Sequence, residues 1–114
     1  MPMIIGKHII ADLYGVSEEL ITNEERVKKI VEDVIRKAGL TMVGSVYKQF
    51  NPGGVTGIVL IGESHISLHT WPEHELVNLD IFTCGDVSKA DQAFRLLLSR
   101  FKPRSFRHVI VDRG

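Results

Sequence analysis

Cysteine is nearly absent from this chain of 114 residues, which contains only Cys84. A single cysteine cannot form a disulfide within the chain, and this fits a reducing compartment. No apolar segment has the length of a secretory signal, and none approaches the roughly 18 residues that a membrane-spanning helix needs. From these absences we expect a cytoplasmic protein with no membrane partner.

The chain also lacks an excess or a block of one charge. Fourteen basic residues balance fourteen acidic ones, and no block of like charge exceeds three residues. This pattern excludes the usual footprint of a nucleic-acid-binding protein, so we expect no nucleic-acid partner. No stretch of Gly, Ser or Pro is long enough to be a linker, which predicts a single domain over residues 1–114. The core of so small a domain is thin, and pairing with a second copy would stabilise it.

Two helices are indicated by apolar residues that recur with a period of about 3.6. Each helix has one apolar face and is therefore expected to cover one face of a sheet. Their predicted end signals are the capping pair Thr22 and Glu25, the stop at Gly39, the capping pair Ser88 and Asp91, and Pro103.

The remaining segments have the pattern of strands. Strands are predicted at about 4–13, 40–50, 55–61, 65–71, 76–83 and 105–112. Turn signals separate them at 51–54, 71–74 and Gly85-Asp86. The resulting order is β-α-β-β-β-β-α-β, and the short links between the middle strands require antiparallel neighbours. The prediction is an α+β two-layer sandwich, a mainly antiparallel sheet with both helices on one face.

Polar side chains follow one face of the strand predicted at 65–71. Ile66 and Leu68 point to one side, and the alternation of a strand puts His65, Ser67, His69 and Trp71 on the other. That second face is too polar for a core covered by helices, so it is solvent, an interface or a site. Taken alone, a histidine on a strand is more often a surface residue than a catalyst, and a serine in a turn mostly serves the turn.

Three kinds of chemistry are open to these side chains. A zinc site would use His65, His69, His74 and Cys84, but two residues four apart on a strand lie about 13 Å from each other and cannot share one ion. A serine hydrolase usually has its serine in a Gly-x-Ser-x-Gly elbow before a helix, and Ser64 lacks the second glycine and precedes a strand. The third possibility is attack by the Ser64 hydroxyl on its own chain, with a neighbouring histidine as the proton carrier.

Residues 62–73, GESHISLHTWPE, and residues 80–85, DIFTCG, strongly resemble the prokaryotic S-adenosylmethionine decarboxylase proenzyme family. Gly6-Lys7-His8 and the turn at 53–57 are similar as well, so the resemblance runs nearly from end to end. The combined motif is long, which makes the resemblance specific.

The resemblance implies an enzyme that cleaves itself between Glu63 and Ser64. The products would be a β chain of residues 1–63 and an α chain of residues 64–114, with Ser64 converted to a pyruvoyl group. It implies a carboxy-lyase that forms decarboxylated S-adenosylmethionine, the aminopropyl donor for spermidine synthesis. No other cofactor is implied. The implied assembly is a homodimer whose sites draw on both protomers.

The resemblance also implies roles for single residues. His69 matches the histidine that moves protons during processing, Cys84 matches the catalytic proton donor, and His65 occupies a motif position without an assigned chemical role. Phe50 and Trp71 lie where the family places aromatic residues near the substrate.

Two further positions follow from the family pattern. Glu73 lies where the family places an acid that can bind ribose hydroxyls. Thr56 departs from the pattern, because the family often has serine there; threonine keeps the hydroxyl that assists processing but adds a methyl group, so slower cleavage is expected.

Two alternatives stay open beside this interpretation. The same scaffold could act on arginine as a pyruvoyl-dependent arginine decarboxylase, or the chain could be a non-catalytic relative that acts only as a folded partner. The sequence contains no feature that distinguishes S-adenosylmethionine from arginine as the substrate.

Overall fold

A computed structural model describes residues 4–84 and 87–114. The turn predicted at Gly85-Asp86 lies outside the described residues. No helix among the described residues is long and apolar enough to cross a membrane.

The elements follow the predicted order, with one short helix added near the start. The strands are β1 (Gly6–Tyr14), β2 (Gly44–Gln49), β3 (Val55–Ile61), β4 (Ser64–Trp71), β5 (Leu76–Cys84) and β6 (Ser105–Arg113). The helices are α1 (Glu18–Ile21), α2 (Glu24–Lys37) and α3 (Val87–Phe101), and a single 3₁₀ turn covers Pro72–His74.

The strands form one sheet in the order β2-β3-β4-β5-β1-β6, in which every neighbouring pair is antiparallel. Helices α2 and α3 contact each other and pack on one face of this sheet. The core lies between the two layers, where side chains such as Val31, Leu68, Ile81 and Leu97 are at most 1% exposed. The predicted α+β two-layer sandwich is confirmed.

The structure corrects the predicted helix ends. Asn23, not Thr22, precedes α2, and its side-chain oxygen accepts hydrogen bonds from the backbone N–H groups of Glu25 and Arg26. Thr22 instead ends the short helix α1, where its hydroxyl donates to the carbonyl of Glu18 at 2.6 Å. Ser88 lies inside the first turn of α3 because the helix begins at Val87.

The structure also corrects two strand ends. Strand β2 begins at Gly44 rather than near residue 40, since the chain after α2 first passes through a left-handed glycine, Gly39, with φ of 73°. Ser64, predicted in a turn, is the first residue of β4 and pairs with Ile61.

No helix in the part of the chain that the structure describes covers the opposite face of the sheet, and we call it the open face. One row of its residues crosses the whole sheet, because the register places one residue from each strand side by side. From β2 to β6 this cross-strand row is Lys48, Thr56, His69, Asn78, Asp12 and Arg107. The neighbouring row is more apolar and consists of Val46, Ile58, Ser67, Asp80, Ile10 and Val109. The open face therefore has a polar end and an apolar middle.

Candidate active site

The Glu63-Ser64 bond lies in the tight link between β3 and β4. Only Gly62 and Glu63 separate the two strands. Gly62 has φ of 56°, in the left-handed region that glycine adopts at little cost. This turn fixes the serine at the start of β4, at the end of the sheet.

Cys84, the last residue of β5, contacts both sides of that bond. Its backbone N–H donates to the Ser64 hydroxyl oxygen at 3.0 Å, and its thiol lies 3.6 Å from the carbonyl oxygen of Glu63. The buried hydroxyl of the adjacent Thr83 has no hydrogen-bond partner among the described residues. A cavity of about 440 Å³ borders this group, and its lining includes Ser64, Thr83, Cys84 and Lys89. The structure thus brings together the proposed cleavage bond and the only thiol.

A second cavity, of about 540 Å³, lies at the polar end of the open face. It is lined by Phe50, Thr56, His69, Trp71 and Glu73, together with Thr70 and the turn at residues 51–54. The Thr56 hydroxyl and Nδ1 of His69 are 2.9 Å apart. Phe50 and Trp71 are 47% and 43% exposed, so both aromatic rings are accessible.

The two groups do not meet within one chain. Ser64 and His69 are five residues apart on β4, which separates them by about 16 Å at the rise of an antiparallel strand. The alternation of β4 also places them on different sides of the sheet, since Ser64 shares its side with the buried Ile66 and Leu68. All the predicted site residues therefore fall into two clusters, with Ser64, Glu63 and Cys84 at one end and the remainder at the other.

Sequence reasoning did not identify Asn78 and Asp12. The indole Nε1–H of Trp71 donates to the Asn78 side-chain oxygen at 2.7 Å, and the Asn78 amide nitrogen donates to Asp12 at 2.8 Å. Arg107 donates to the other carboxylate oxygen of Asp12 at 3.1 Å, and this hydrogen bond raises the pKa of Arg107. Only the pairing register of β1, β5 and β6 identifies these two residues, and the sequence alone does not determine that register.

The residues considered for a zinc site are dispersed. His65 contacts His8 and Phe82 on the open face, with ring centroids 6.3 and 5.8 Å away. His74 lies in the 3₁₀ turn after β4. Within residues 4–84 and 87–114, no three His, Cys, Asp or Glu side chains are grouped so that they could hold a metal ion.

Comparison with known proteins gives consistent matches along the chain. The sequence model of the family described as S-adenosylmethionine decarboxylase matches residues 7–114. A protein of Archaeoglobus fulgidus named S-adenosylmethionine decarboxylase proenzyme is 70% identical over 112 residues, which are 98% of this chain and 100% of that protein. A protein of Picrophilus torridus with the same name is 49% identical over 114 residues, which are 100% of this chain and 88% of that protein.

Two solved structures are similar in fold. The crystal structure of the adenosylmethionine decarboxylase from Aquifex aeolicus matches with a TM-score of 0.95 at 42% identity, covering 99% of this chain and 93% of that one. The monomer of a Trypanosoma brucei enzyme matches with a TM-score of 0.67 at 16% identity, covering 91% of this chain and 45% of that one. The second match supports the fold alone.

Proposed function

The chain belongs to the S-adenosylmethionine decarboxylase family, and from this premise we propose that it decarboxylates S-adenosylmethionine after cleaving itself at Glu63-Ser64. The observation that carries the proposal is the contact of Cys84 with both sides of that bond. The relatives named above carry the name of this substrate, which favours it over arginine and favours an enzyme over a non-catalytic relative.

Self-cleavage would begin with the Ser64 hydroxyl. Its oxygen attacks the carbonyl carbon of Glu63, and the peptide nitrogen leaves, so that an ester replaces the amide. Loss of the α-proton of residue 64 then breaks the Cβ–Oγ bond, which releases Glu63 as a carboxylate and leaves a dehydroalanine. Water converts that residue to a pyruvoyl group and ammonia.

The residues around Ser64 fit the production of such a group. The backbone N–H of Cys84 holds the serine oxygen next to the turn, and the thiol lies against the carbonyl that the oxygen must attack. The adjoining cavity would leave space for the part of the substrate that binds to this group. A pyruvoyl group supplies a carbonyl that binds the substrate's α-amine and accepts the electron pair released with CO₂.

The second cavity would supply the proton carrier for cleavage and the substrate contacts. Thr56 engages Nδ1 of His69, so Nε2 is the ring nitrogen that can exchange a proton with a group placed against the open face. The accessible rings of Phe50 and Trp71 suit a sulfonium cation, at roughly 0.5 to 2 kcal/mol per contact. Glu73 at the rim would accept hydrogen bonds from ribose hydroxyls.

A second copy of the chain would bring the two clusters to the same end of the sheet. The point midway between Ser64 and His69 on β4 falls near Ser67, in the apolar row of the open face. In such a dimer the open faces of two sheets would face each other. A two-fold axis between them, perpendicular to the strands and above this row, would put His69 of one copy at the Ser64 end of the other. The exposed side chains of the row, Val46 at 69% and Val109 at 60%, would be covered by the same contact.

Intact mass under denaturing conditions, followed by CO₂ release, tests the proposal. The protein should give two chains that divide at residue 64, and it should release CO₂ from S-adenosylmethionine but not from arginine. Ser64→Ala should keep a single full-length mass and release none. A full-length mass after long incubation, together with normal CO₂ release, contradicts self-processing.

A further inference from the structure

The hydrogen bonds beyond Trp71 give a further role to two residues. We infer that Asn78 and Asp12 are positioning residues, which fix the Trp71 indole in the substrate cavity and so set the affinity for the adenosyl sulfonium substrate. This inference rests on the proposed function, because it assumes that Trp71 contacts the substrate.

The indole needs such a support because it is partly solvent-exposed. Trp71 is the last residue of β4 and 43% exposed, on a face that none of the described helices covers. An exposed ring samples several rotamers, and a ligand that stacks on it restricts the ring to one of them. This loss of conformational entropy weakens binding. The 2.7 Å hydrogen bond from its Nε1–H to Asn78 selects one orientation before the substrate arrives.

Asp12 determines which way the Asn78 amide faces. A carboxylate can only accept hydrogen bonds, so the amide nitrogen of Asn78 must point to Asp12, at 2.8 Å, and the amide oxygen must point away from it. The indole N–H is a donor only and requires that oxygen. The order Asp12, Asn78, Trp71 is therefore the one in which every donor meets an acceptor.

The far end of the chain of hydrogen bonds is held by two strands. Asp12 lies on β1, which is paired on both sides, and Arg107 of β6 donates to its second oxygen at 3.1 Å. Asn78 lies directly opposite His69 in the cross-strand row. The support of Trp71 is thus built on the sheet and not on the loop that follows it.

The experiment uses the fluorescence of Trp71, which is the only tryptophan in the chain. Asn78→Leu removes the acceptor while keeping the size of the side chain. In the self-cleaved protein we expect a shifted emission maximum, lower fluorescence anisotropy and stronger quenching by acrylamide. We also expect KM for S-adenosylmethionine to rise about tenfold, with kcat changed less than about twofold, since one hydrogen bond of about 1.4 kcal/mol corresponds to a factor of ten.

A double variant keeps the test independent of folding. Asn78→Asp alone puts two carboxylates side by side and should disturb both the emission and KM. Asn78→Asp combined with Asp12→Asn exchanges the amide and the carboxylate, restores a donor facing an acceptor, and should return both readouts toward wild type. Gln92→Leu, which replaces an exposed side-chain amide on α3, is the matched control and should change neither.

The outcomes separate this inference from the proposed function. Wild-type emission, anisotropy and quenching in Asn78→Leu overturn the inference, whatever the activity. Loss of self-cleavage with unchanged fluorescence overturns it too, because Asn78 would then serve His69. Wild-type protein that releases no CO₂ overturns the proposed function, while the fluorescence comparison still decides whether Asn78 and Asp12 hold the indole.

Discussion

At the scale of single residues, Cys84 has two separable contacts. Its backbone N–H holds the Ser64 hydroxyl, and only its thiol faces the carbonyl of Glu63. A substitution of the side chain therefore leaves the contact that would orient the serine for cleavage. This separation allows the role of the thiol in turnover to be tested without losing processing.

We predict that Cys84→Ala still cleaves itself but decarboxylates more slowly by about 10² to 10⁴, the usual contribution of general acid catalysis. Without a donor placed at the substrate carbon, the proton can go to Cα of residue 64. Water then releases the decarboxylated substrate as an aldehyde, and its nitrogen stays on residue 64, which becomes an alanine. Successive turnovers should then inactivate the enzyme, which mass analysis of the α chain would detect as a terminal alanine.

If Cys84 has only a structural role, Cys84→Ala should behave differently. Replacement of a small, partly buried side chain would change stability slightly and turnover hardly at all. Normal turnover of Cys84→Ala with an intact pyruvoyl group would therefore remove the thiol from the mechanism.

At the scale of elements, a group of ion pairs joins the two long helices. Asp33 of α2 contacts Lys29 and Arg36 of its own helix and Arg100 of α3, the last at 3.4 Å. Partial burial raises the pKa of the Asp33 carboxyl, but the nearby cations lower it by more, so its pKa lies below the ordinary value of 3.8. The pairs therefore stabilise the helix layer when the carboxyl is ionised.

The sign of this effect gives a pH prediction. A carboxyl whose pKa is lowered by folding contributes stability above its unfolded pKa, about 3.8, and that contribution is lost as the pH falls through the lower folded value. Asp33→Asn should lower Tm at pH 7, and it should lower Tm by less at pH 2. Thermal unfolding at the two pH values, at low and high salt, measures this effect.

The matched control is Asp91→Asn. Asp91 forms an exposed pair with Arg95 on α3 alone, at 3.0 Å, and exposed pairs contribute little. An equal loss of Tm in the two variants would contradict a specific link between the helices.

How much of this fold can be predicted from the sequence depends on how local each signal is. The long helices and the strands are predictable because their apolar periods repeat over many residues. Helix α1 is not, because its four residues are too few to show a period. The choice of Asn23 over Thr22 as the cap is not either, since both residue types favour that position.

The same distinction applies to the candidate site. Ser64, His69 and Cys84 follow from a contiguous motif and from the family resemblance, and their roles stay predictions. Asn78 and Asp12 are 66 residues apart, and only the pairing of β1 with β5 brings them together. The distance between Ser64 and His69 could be estimated from the strand rise. That a second copy could bridge this distance follows only from the open face, which the structure shows.

At the scale of the whole molecule, the open face suggests a homodimer with shared sites. Each copy would contribute Ser64 and Cys84 to one site and His69, Thr56 and Trp71 to the other. The apolar row between the clusters would form the middle of the contact. Neither cluster has the complete set of predicted groups within one chain.

This arrangement predicts recovery of activity in mixed dimers. Cys84→Ala and Trp71→Ala should each be impaired alone, but co-expression should restore part of the CO₂ release, because one of the two sites in a mixed dimer contains no substitution. Two copies of the Cys84→Ala variant carrying different tags serve as the control and should restore nothing. A monomer by light scattering at micromolar concentration, or no recovery in mixed dimers, would contradict shared sites.

The position of the proposed cleavage within the sheet has a consequence for refolding. Cutting before Ser64 assigns β1, β2 and β3 to one fragment and β4, β5 and β6 to the other. In the sheet order β2-β3-β4-β5-β1-β6, strands of the two fragments are interleaved. Three of the five neighbouring pairs, β3-β4, β5-β1 and β1-β6, therefore join different fragments. Before the cut, folding is a reaction of one chain. After it, the two separated fragments must meet in solution, so the refolding rate would fall with dilution.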